Sequence, residues 1–215
     1  YNRKTTASIT PVAASVAADP QAISGLTYTG NEQELVTDGT AVGGNLVYSL
    51  NGVDYTPGIP KGKDAGPYTL WYKVIASGGN YKDSGARKMT VDIAPYTGAL
   101  TVECTPDTFR YDNTAKAPAT IRVLDSNNRA VPESEYSVTF PSNAIAADTY
   151  TVTVKDIRNS GNYEFDTPVT GTFKIEKTSQ EPLSIIASEY TVYYGDTFRL
   201  SATGGSGSGA IHWNV

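Results

Sequence analysis

The sequence predicts an all-β chain built from repeated sandwich modules. In the stretch 64–74 a turn leads into a strand in which Tyr68, Leu70, Tyr72 and Val74 alternate onto one face, as in a strand with one buried face. No segment has the 3.6-residue period of a helix. Tyr68 and Tyr150, and Ile93 and Ile175, are each 82 positions apart (150 − 68 = 175 − 93 = 82). Such a period fits one sandwich per repeat.

A tyrosine at the start of a core strand identifies the kind of sandwich. Asp64-Ala-Gly-Pro-Tyr68 leads into Leu70, and Ala147-Asp-Thr-Tyr150 leads into Val152. In immunoglobulin domains a tyrosine two residues before the second cysteine of strand F binds the backbone of the preceding corner through its hydroxyl. Leu70 and Val152 occupy that cysteine position. We therefore predict Tyr68 and Tyr150 as structural corner residues and expect Ig-like Greek-key β-sandwiches arranged end to end.

The repeat spacing divides the chain into four predicted segments. They are a closing strand of a preceding repeat at 1–11, Ig-like module one at 12–95, Ig-like module two at 96–178, and the first strands of an incomplete third Ig-like module at 179–215.

The two end segments are too short to bury an apolar face alone. We expect 179–215 to be completed by chain outside this sequence or by a neighbouring molecule. Its predicted inward face consists of Phe198, Leu200 and Trp213.

Alternation and turn signals place the inward faces within each module. Leu46, Tyr48 and Leu50 are predicted to share one face, and Asn51-Gly52 predicts a two-residue hairpin. The corresponding face of module two is predicted to consist of Tyr136, Val138 and Phe140.

Composition and charge favour a secreted or surface protein. A formal net charge of −5 with no basic run argues against binding to nucleic acid or to an anionic membrane surface. One cysteine, Cys104, excludes an internal disulfide framework. The sequence has no signal peptide, no apolar run long enough to span a membrane and no initiating methionine, so we expect it to be part of a longer polypeptide.

The sequence offers no catalytic, cofactor or metal site. A hydrolase triad needs a base, and the one histidine, His212, lies far from Cys104 and in a different predicted module. The glycine-rich stretch 204–209 is not followed by the helix that a phosphate-binding loop requires. Asp125-Ser-Asn-Asn128 is interpreted as a turn and not as a calcium loop. Lys73 and Lys155 occupy outward strand positions, which disfavours an intramolecular Lys–Asn isopeptide bond.

The chain resembles tandem bacterial Ig-like repeats of the MBG type. The motifs that carry the resemblance are Leu26-Thr-Tyr28-Thr-Gly30, Tyr48-Ser-Leu-Asn-Gly52, Asp64-Ala-Gly-Pro-Tyr68, Gly79-Asn-Tyr81, Gly161-Asn-Tyr163 and Phe173-Lys-Ile175. Module two departs from the pattern in having Ala-Asp-Thr-Tyr before its corner strand. The resemblance implies a multi-repeat polypeptide, extracellular or on the bacterial cell surface, in which the units space, present or adhere. It implies no catalytic residues, and as partners it implies adjacent repeats and a host or bacterial surface protein or glycan.

Trp71 is the predicted contact residue of the competing hypothesis. By alternation Trp71 faces away from the core, and an exposed tryptophan can stack on a sugar ring or anchor a protein. A loop or long side chain that covers the ring would remove this role. The sequence thus leaves two functions open: a non-catalytic spacer or adhesive stalk, and a carbohydrate-binding module of a polysaccharide-degrading enzyme or adhesin.

Overall fold

The computed structural model describes residues 8–157, 161–186, 191, 193–197, 201–205 and 210–212. These residues contain β-strands, one 3₁₀-helix at Glu133–Glu135 and no α-helix. The strands are β1 Val12–Ala13, β2 Ser15–Ala18, β3 Gln21–Ala22, β4 Leu26–Thr27, β5 Gln33–Glu34, β6 Val36–Thr37, β7 Thr40–Val42, β8 Gly44–Ser49, β9 Lys61–Gly62, β10 Gly66–Ala76, β11 Tyr81–Lys82, β12 Arg87–Ala94, β13 Leu100–Thr105, β14 Thr108–Arg110, β15 Thr120–Asp125, β16 Tyr136–Thr139, β17 Thr149–Asp156, β18 Val169–Glu176, β19 Leu183–Ile185 and β20 Ala202–Gly204.

The all-β prediction is confirmed, and the sheets are consistent with a β-sandwich. The first large sheet has the strand order β4-β12-β10-β8. Strands β10 and β12 are antiparallel with Leu70 opposite Met89, while β4 joins β12 in parallel with Leu26 opposite Ile93.

The second large sheet repeats this order as β14-β18-β17-β16. Strand β14 is again parallel to its neighbour, and Phe109 lies opposite Ile175 as Leu26 lies opposite Ile93. The bounds of β12 shifted by 82 positions are those of β18, since 87 + 82 = 169 and 94 + 82 = 176. The closing strands of the two sheets are thus offset by the same 82 positions as the paired sequence motifs.

By its internal packing the chain divides into two compact units. One contains residues 1–103, 122–139 and 152–171, and the other contains 104–121, 140–151 and 172–215. The predicted bounds 12–95 and 96–178 stay predictions.

The two units have different cores. In the first unit, one buried cluster joins Leu35, Val36, Tyr48, Leu70, Tyr72, Val91 and Ile93. In the second, the buried ring of Phe173 packs edge-on against Phe109 and stacks on Tyr150. Strands β17 and β18 of the same sheet also bury Val152, Val154 and Ile175, so both large sheets combine aliphatic and aromatic side chains in their cores.

Two predicted inward residues are wrong, because each strand ends one residue earlier than the apolar pattern. Leu50 is 45% exposed, since β8 ends at Ser49. Phe140 is 42% exposed, since β16 ends at Thr139 and the next residue, Pro141, has no N–H to donate to a ladder.

The predicted two-residue hairpin at Asn51-Gly52 is a longer loop. The backbone groups of Tyr48 pair with those of Thr56, and both hydrogen bonds are 2.8 Å long. Inside the loop the Asn51 side-chain oxygen accepts from the amides of Val53 and Asp54, both at 2.9 Å. These local bonds replace the ladder that a tight turn would close.

The end segments are described only in part. Residues 8–11 form no strand, and Leu183 and Ile185 of the pair β19 and β20 are exposed. The predicted inward residues Phe198, Leu200 and Trp213 lie outside the described residues. No helix in the described part of the chain has the length and hydropathy needed to cross a membrane.

Both corner tyrosines bind the backbone four residues upstream. The Tyr68 hydroxyl donates to the Asp64 carbonyl at 2.9 Å and accepts from the amides of Lys63 and Asp64 at 3.2 and 3.0 Å. The Tyr150 hydroxyl donates to the Ala146 carbonyl at 3.0 Å. Each hydroxyl holds the turn that precedes its strand.

We expect Tyr68→Phe to lower the free energy of unfolding more than Tyr150→Phe. A hydrogen bond contributes about 0.5–1.5 kcal/mol, and the Tyr68 hydroxyl has the larger set of backbone partners. Urea denaturation measures both, with Tyr55→Phe as control because the Tyr55 ring lies beneath Lys73 and its hydroxyl has no hydrogen bond among the described residues. Neutral effects of both corner substitutions would contradict the corner assignment.

Candidate inter-repeat junction

A cluster of polar and aromatic contacts surrounds the predicted boundary at residues 95 and 96. The corner at Asp64-Ala65 and Tyr28, the residue after β4, belong to the predicted module at 12–95, which is called the first repeat below. The turn Gly161-Asn-Tyr163 belongs to the predicted module at 96–178, called the second repeat, and Tyr96 lies at the predicted boundary. We call this set, with the side chains that support it, the junction.

Asn162 makes hydrogen bonds to both repeats. Its side-chain oxygen accepts from the Ala65 amide at 2.7 Å, and its side-chain amide donates to the Asp64 carboxylate at 3.1 Å. Its backbone carbonyl accepts from the Tyr96 amide at 2.8 Å. One residue of the second repeat is thereby fixed to the corner of the first and to the connecting segment.

Tyr163 is the aromatic centre of the junction and is only 4% exposed. Its ring meets Tyr28 edge-on at a centroid distance of 5.3 Å and Tyr96 at 5.6 Å. Edge-to-face pairs of this kind contribute about 0.5–1.5 kcal/mol each beyond the burial of apolar area. Burial, with the nearby Asp125 carboxylate, raises the pKa of Tyr163 to about 12, so the phenol stays protonated at neutral pH.

The Asp125 carboxylate accepts a hydrogen bond from Tyr163 and forms an ion pair with Arg129. Its side chain is fully buried, and one oxygen accepts from the amides of Asn127 and Arg129 at 2.8 and 3.0 Å. The other oxygen lies 3.0 Å from Nε and from Nη2 of Arg129, and the Tyr163 hydroxyl donates to it at 3.4 Å. The Arg129 guanidinium in turn lies 5.8 Å from the centre of the Tyr28 ring. The ion pair thus contacts aromatic rings of both repeats.

Opposing effects set the pKa of Asp125. Burial alone would raise it, but the hydrogen bonds from the amides of Arg129 and Asn127, together with the Arg129 charge, lower it below its ordinary value. The carboxylate is therefore ionised and paired in the folded protein at neutral pH.

Glu135 orients the turn that carries Asn162 and Tyr163. One of its carboxylate oxygens accepts from the Asn162 amide at 3.0 Å, and the other accepts from the Tyr163 amide at 3.4 Å. A Cβ atom at position 161 would displace this carboxylate from the turn, so Gly161 leaves room for Glu135. The equivalent Gly79 has no such neighbour, since a Cβ there meets no atom within 4 Å.

The predicted contact residue Trp71 lies outside the junction. It sits on β10 between Ser49 and Lys88 of the neighbouring strands, and it is half-buried. The backbone of Gly52 covers part of the ring, because a Cβ at that position would lie 3.3 Å from two indole carbons. On the same face the Lys73 ammonium stands 4.5 Å from the centre of the Tyr55 ring.

The chemically reactive side chains lie at separate places in the sequence and differ in exposure. Cys104 is buried, which raises the pKa of its thiol, whereas His212 is exposed. Within the described ranges, no three residues among His, Cys, Asp and Glu are grouped so that they could hold a metal ion.

Comparison of the chain with protein-family models, with curated proteins and with solved structures finds no match.

Sequence patterns identified some junction residues and missed others. The two Gly-Asn-Tyr triplets marked the turn, and the pattern around Tyr68 marked the corner that receives it. Arg129 and Glu135 gave no signal, because single charged residues in turn-rich segments are usually solvated. Only the folded chain brings them to the motif.

We expect Asp125→Asn to lower the free energy of unfolding by about 2–4 kcal/mol at neutral pH, because breaking a buried ion pair leaves its partner uncompensated. Arg129 keeps some contact with water, which limits the loss. A carboxyl whose pKa is lowered on folding stabilises the fold above its unfolded pKa, near 3.8, and loses that contribution as the pH falls through the folded value.

The difference between wild type and Asp125→Asn should therefore shrink below about pH 4. Urea denaturation between pH 2 and pH 7 measures it, with the exposed strand residue Asp92→Asn as the matched control. A difference that does not change with pH would contradict the assigned ionisation.

Proposed function

We propose that this chain is a non-catalytic spacer segment of a bacterial secreted or cell-surface protein, made of Ig-like sandwiches joined end to end. Its role is to hold or present other parts of the polypeptide at a distance. Adjacent repeats of the same polypeptide are its primary partners.

The observation that carries this proposal is the bridging of the predicted repeat boundary by Asn162. Covalently linked domains move relative to each other by default unless their interface restrains them. Here hydrogen bonds from one side chain reach both Asp64 and Ala65, and the Tyr163 ring contacts both Tyr28 and Tyr96. Such restraints suit a part whose purpose is to keep a fixed length.

Charge and sheet order agree with this proposal. The net negative charge suits a soluble stalk that does not adhere to nucleic acid or anionic lipid. The same four-strand order occurs in both large sheets, although their loops and core side chains differ. A repeated structural unit needs a constant strand order, whereas its loops and core side chains are free to vary.

We expect Asn162→Ala to loosen the junction while each repeat stays folded, because the substitution removes the bonds to Asp64 and Ala65 and leaves the strands intact. Residual dipolar couplings measured by NMR for the two repeats should fit one alignment tensor in the wild type and two in the variant. Asn80→Ala is the control, since Asn80 holds the equivalent position in the first repeat and is exposed. Independent alignment of the wild-type repeats would contradict the spacer function.

The alternative, a carbohydrate-binding module centred on Trp71, has less support. Stacking on a sugar needs a free ring face, and the backbone of Gly52 lies against this ring. Trp71 is nonetheless only half-buried, so the hypothesis can be tested.

We expect calorimetry with soluble polysaccharides to give no saturable heat, because part of the Trp71 ring is already in contact with the Gly52 backbone. Wild type and Trp71→Ala should behave alike on a glycan array. Saturable binding that the substitution abolishes would replace the spacer proposal with the carbohydrate-binding one.

A further inference from the structure

The second repeat carries an open groove of about 750 Å³ that the spacer function has not yet used. Five of the residues that line it are Tyr111, Ala146, Ala147, Lys177 and Thr178. Apolar side chains and methyl groups form much of its wall, and the Tyr111 ring is 38% exposed.

The lining of the groove includes the second-repeat equivalents of four junction residues. Adding the 82-residue period converts Asp64, Ala65 and Tyr96 into positions 146, 147 and 178. Tyr28 corresponds to Tyr111. Tyr28 lies two positions after Leu26, which pairs with Ile93, and Tyr111 lies two positions after Phe109, which pairs with Ile175.

A shared backbone bond supports the equivalence. The Tyr28 amide donates to the Ala94 carbonyl at 2.8 Å, and the Tyr111 amide donates to the Glu176 carbonyl at 2.9 Å. Since 94 + 82 = 176, the acceptors are equivalent as well.

In the first repeat this surface is occupied. The Gly161-Asn-Tyr163 turn places the Asn162 oxygen 2.7 Å from the Ala65 amide and the Tyr163 ring 5.3 Å from Tyr28. In the second repeat the equivalent Ala147 amide has no acceptor among the described residues, and Ala147 is partly exposed.

We propose that this groove is the docking site for the Gly-Asn-Tyr turn of a further repeat of the same kind, joined through residues 177 and 178. The asparagine side chain of that turn accepts from the Ala147 amide, and its tyrosine ring packs edge-on against Tyr111. The assignment rests on the spacer function proposed above and names the surface through which it continues.

The two docking surfaces differ in one polar contact. Asp64 accepts a hydrogen bond from the Asn162 side chain, whereas Ala146 at the equivalent position offers no carboxylate. None of the described residues that line the groove is acidic, and Lys177 is the one charged residue among them. Docking there depends on the Ala147 amide and on aromatic contact with Tyr111.

The test uses the full chain with a further copy of residues 97–178 inserted after Thr178, so that Thr178 takes the place of Tyr96. Cys104 is replaced by alanine in both copies. Cysteines are introduced as Ala147→Cys in the original repeat and Asn162→Cys in the inserted copy. The matched control is Ala65→Cys with Asn162→Cys in the chain without the insertion, where the two positions are already in contact.

Under oxidised glutathione, both pairs should form an intramolecular disulfide at rates within about tenfold of each other, as measured by mass spectrometry after trypsin digestion. Closure of the control alone overturns the groove assignment and leaves the spacer function standing. Failure of both pairs overturns the junction, and with it both proposals.

Hydrogen exchange provides a second measurement without introduced cysteines. The Ala147 amide of the original repeat should exchange at least tenfold more slowly in the chain with the insertion than in the chain without it, because this amide gains an acceptor. Equal exchange in the two chains would overturn the docking proposal, and Tyr111→Ala in the chain with the insertion should restore fast exchange.

Discussion

The junction depends on one buried carboxylate, that of Asp125. Removing a carboxylate from water costs several kcal/mol, and the cost is offset only where charge-assisted hydrogen bonds surround both oxygens. Here two backbone amides, the Arg129 guanidinium and the Tyr163 hydroxyl supply those bonds. One buried carboxylate therefore fixes the positions of the turn at Asn127, the Arg129 side chain and the Tyr163 ring. A buried ion pair adds little net stability, so its effect here is to select one arrangement of the rings.

The corner tyrosines connect the sandwich core to this polar region. Tyr68 begins on the core side of β10 and ends with its hydroxyl among the backbone groups of Lys63 and Asp64. The next residue, Ala65, donates to Asn162. Tyr68 therefore holds the segment next to the Ala65 amide, and a residue packed against the core cluster lies beside the contact with Asn162. In the second repeat the equivalent tyrosine, Tyr150, binds the carbonyl of Ala146, and Ala146 lines the open groove.

Sequence reasoning predicted what depends on periodic burial and missed what depends on local competition for backbone hydrogen bonds. The alternation along β10 and β12 is a property of regular strands and is present in the fold, and the bounds of β12 and β18 are offset by the predicted 82 positions. Leu50 and Phe140 continued the apolar pattern, but the Asn51 side chain captured amides beyond β8 and Pro141 ended the ladder beyond β16. Glu135 accepts from amides 27 and 28 positions away along the chain, and Arg129, besides its ion pair with Asp125, reaches the ring of Tyr28 in the other predicted module. No local pattern contains these distant contacts.

The parallel pairing of β4 with β12 and of β14 with β18 has a mechanical consequence. In each sheet an early strand of the repeat lies alongside the closing strand and runs in the same direction. Tension applied to the two ends of the polypeptide pulls such a pair in opposite directions along a common axis. The interstrand hydrogen bonds are then loaded together in shear and not opened one after another like a zip. A chain with this geometry resists extension at these parallel strand pairs, because the hydrogen bonds of each pair must break together.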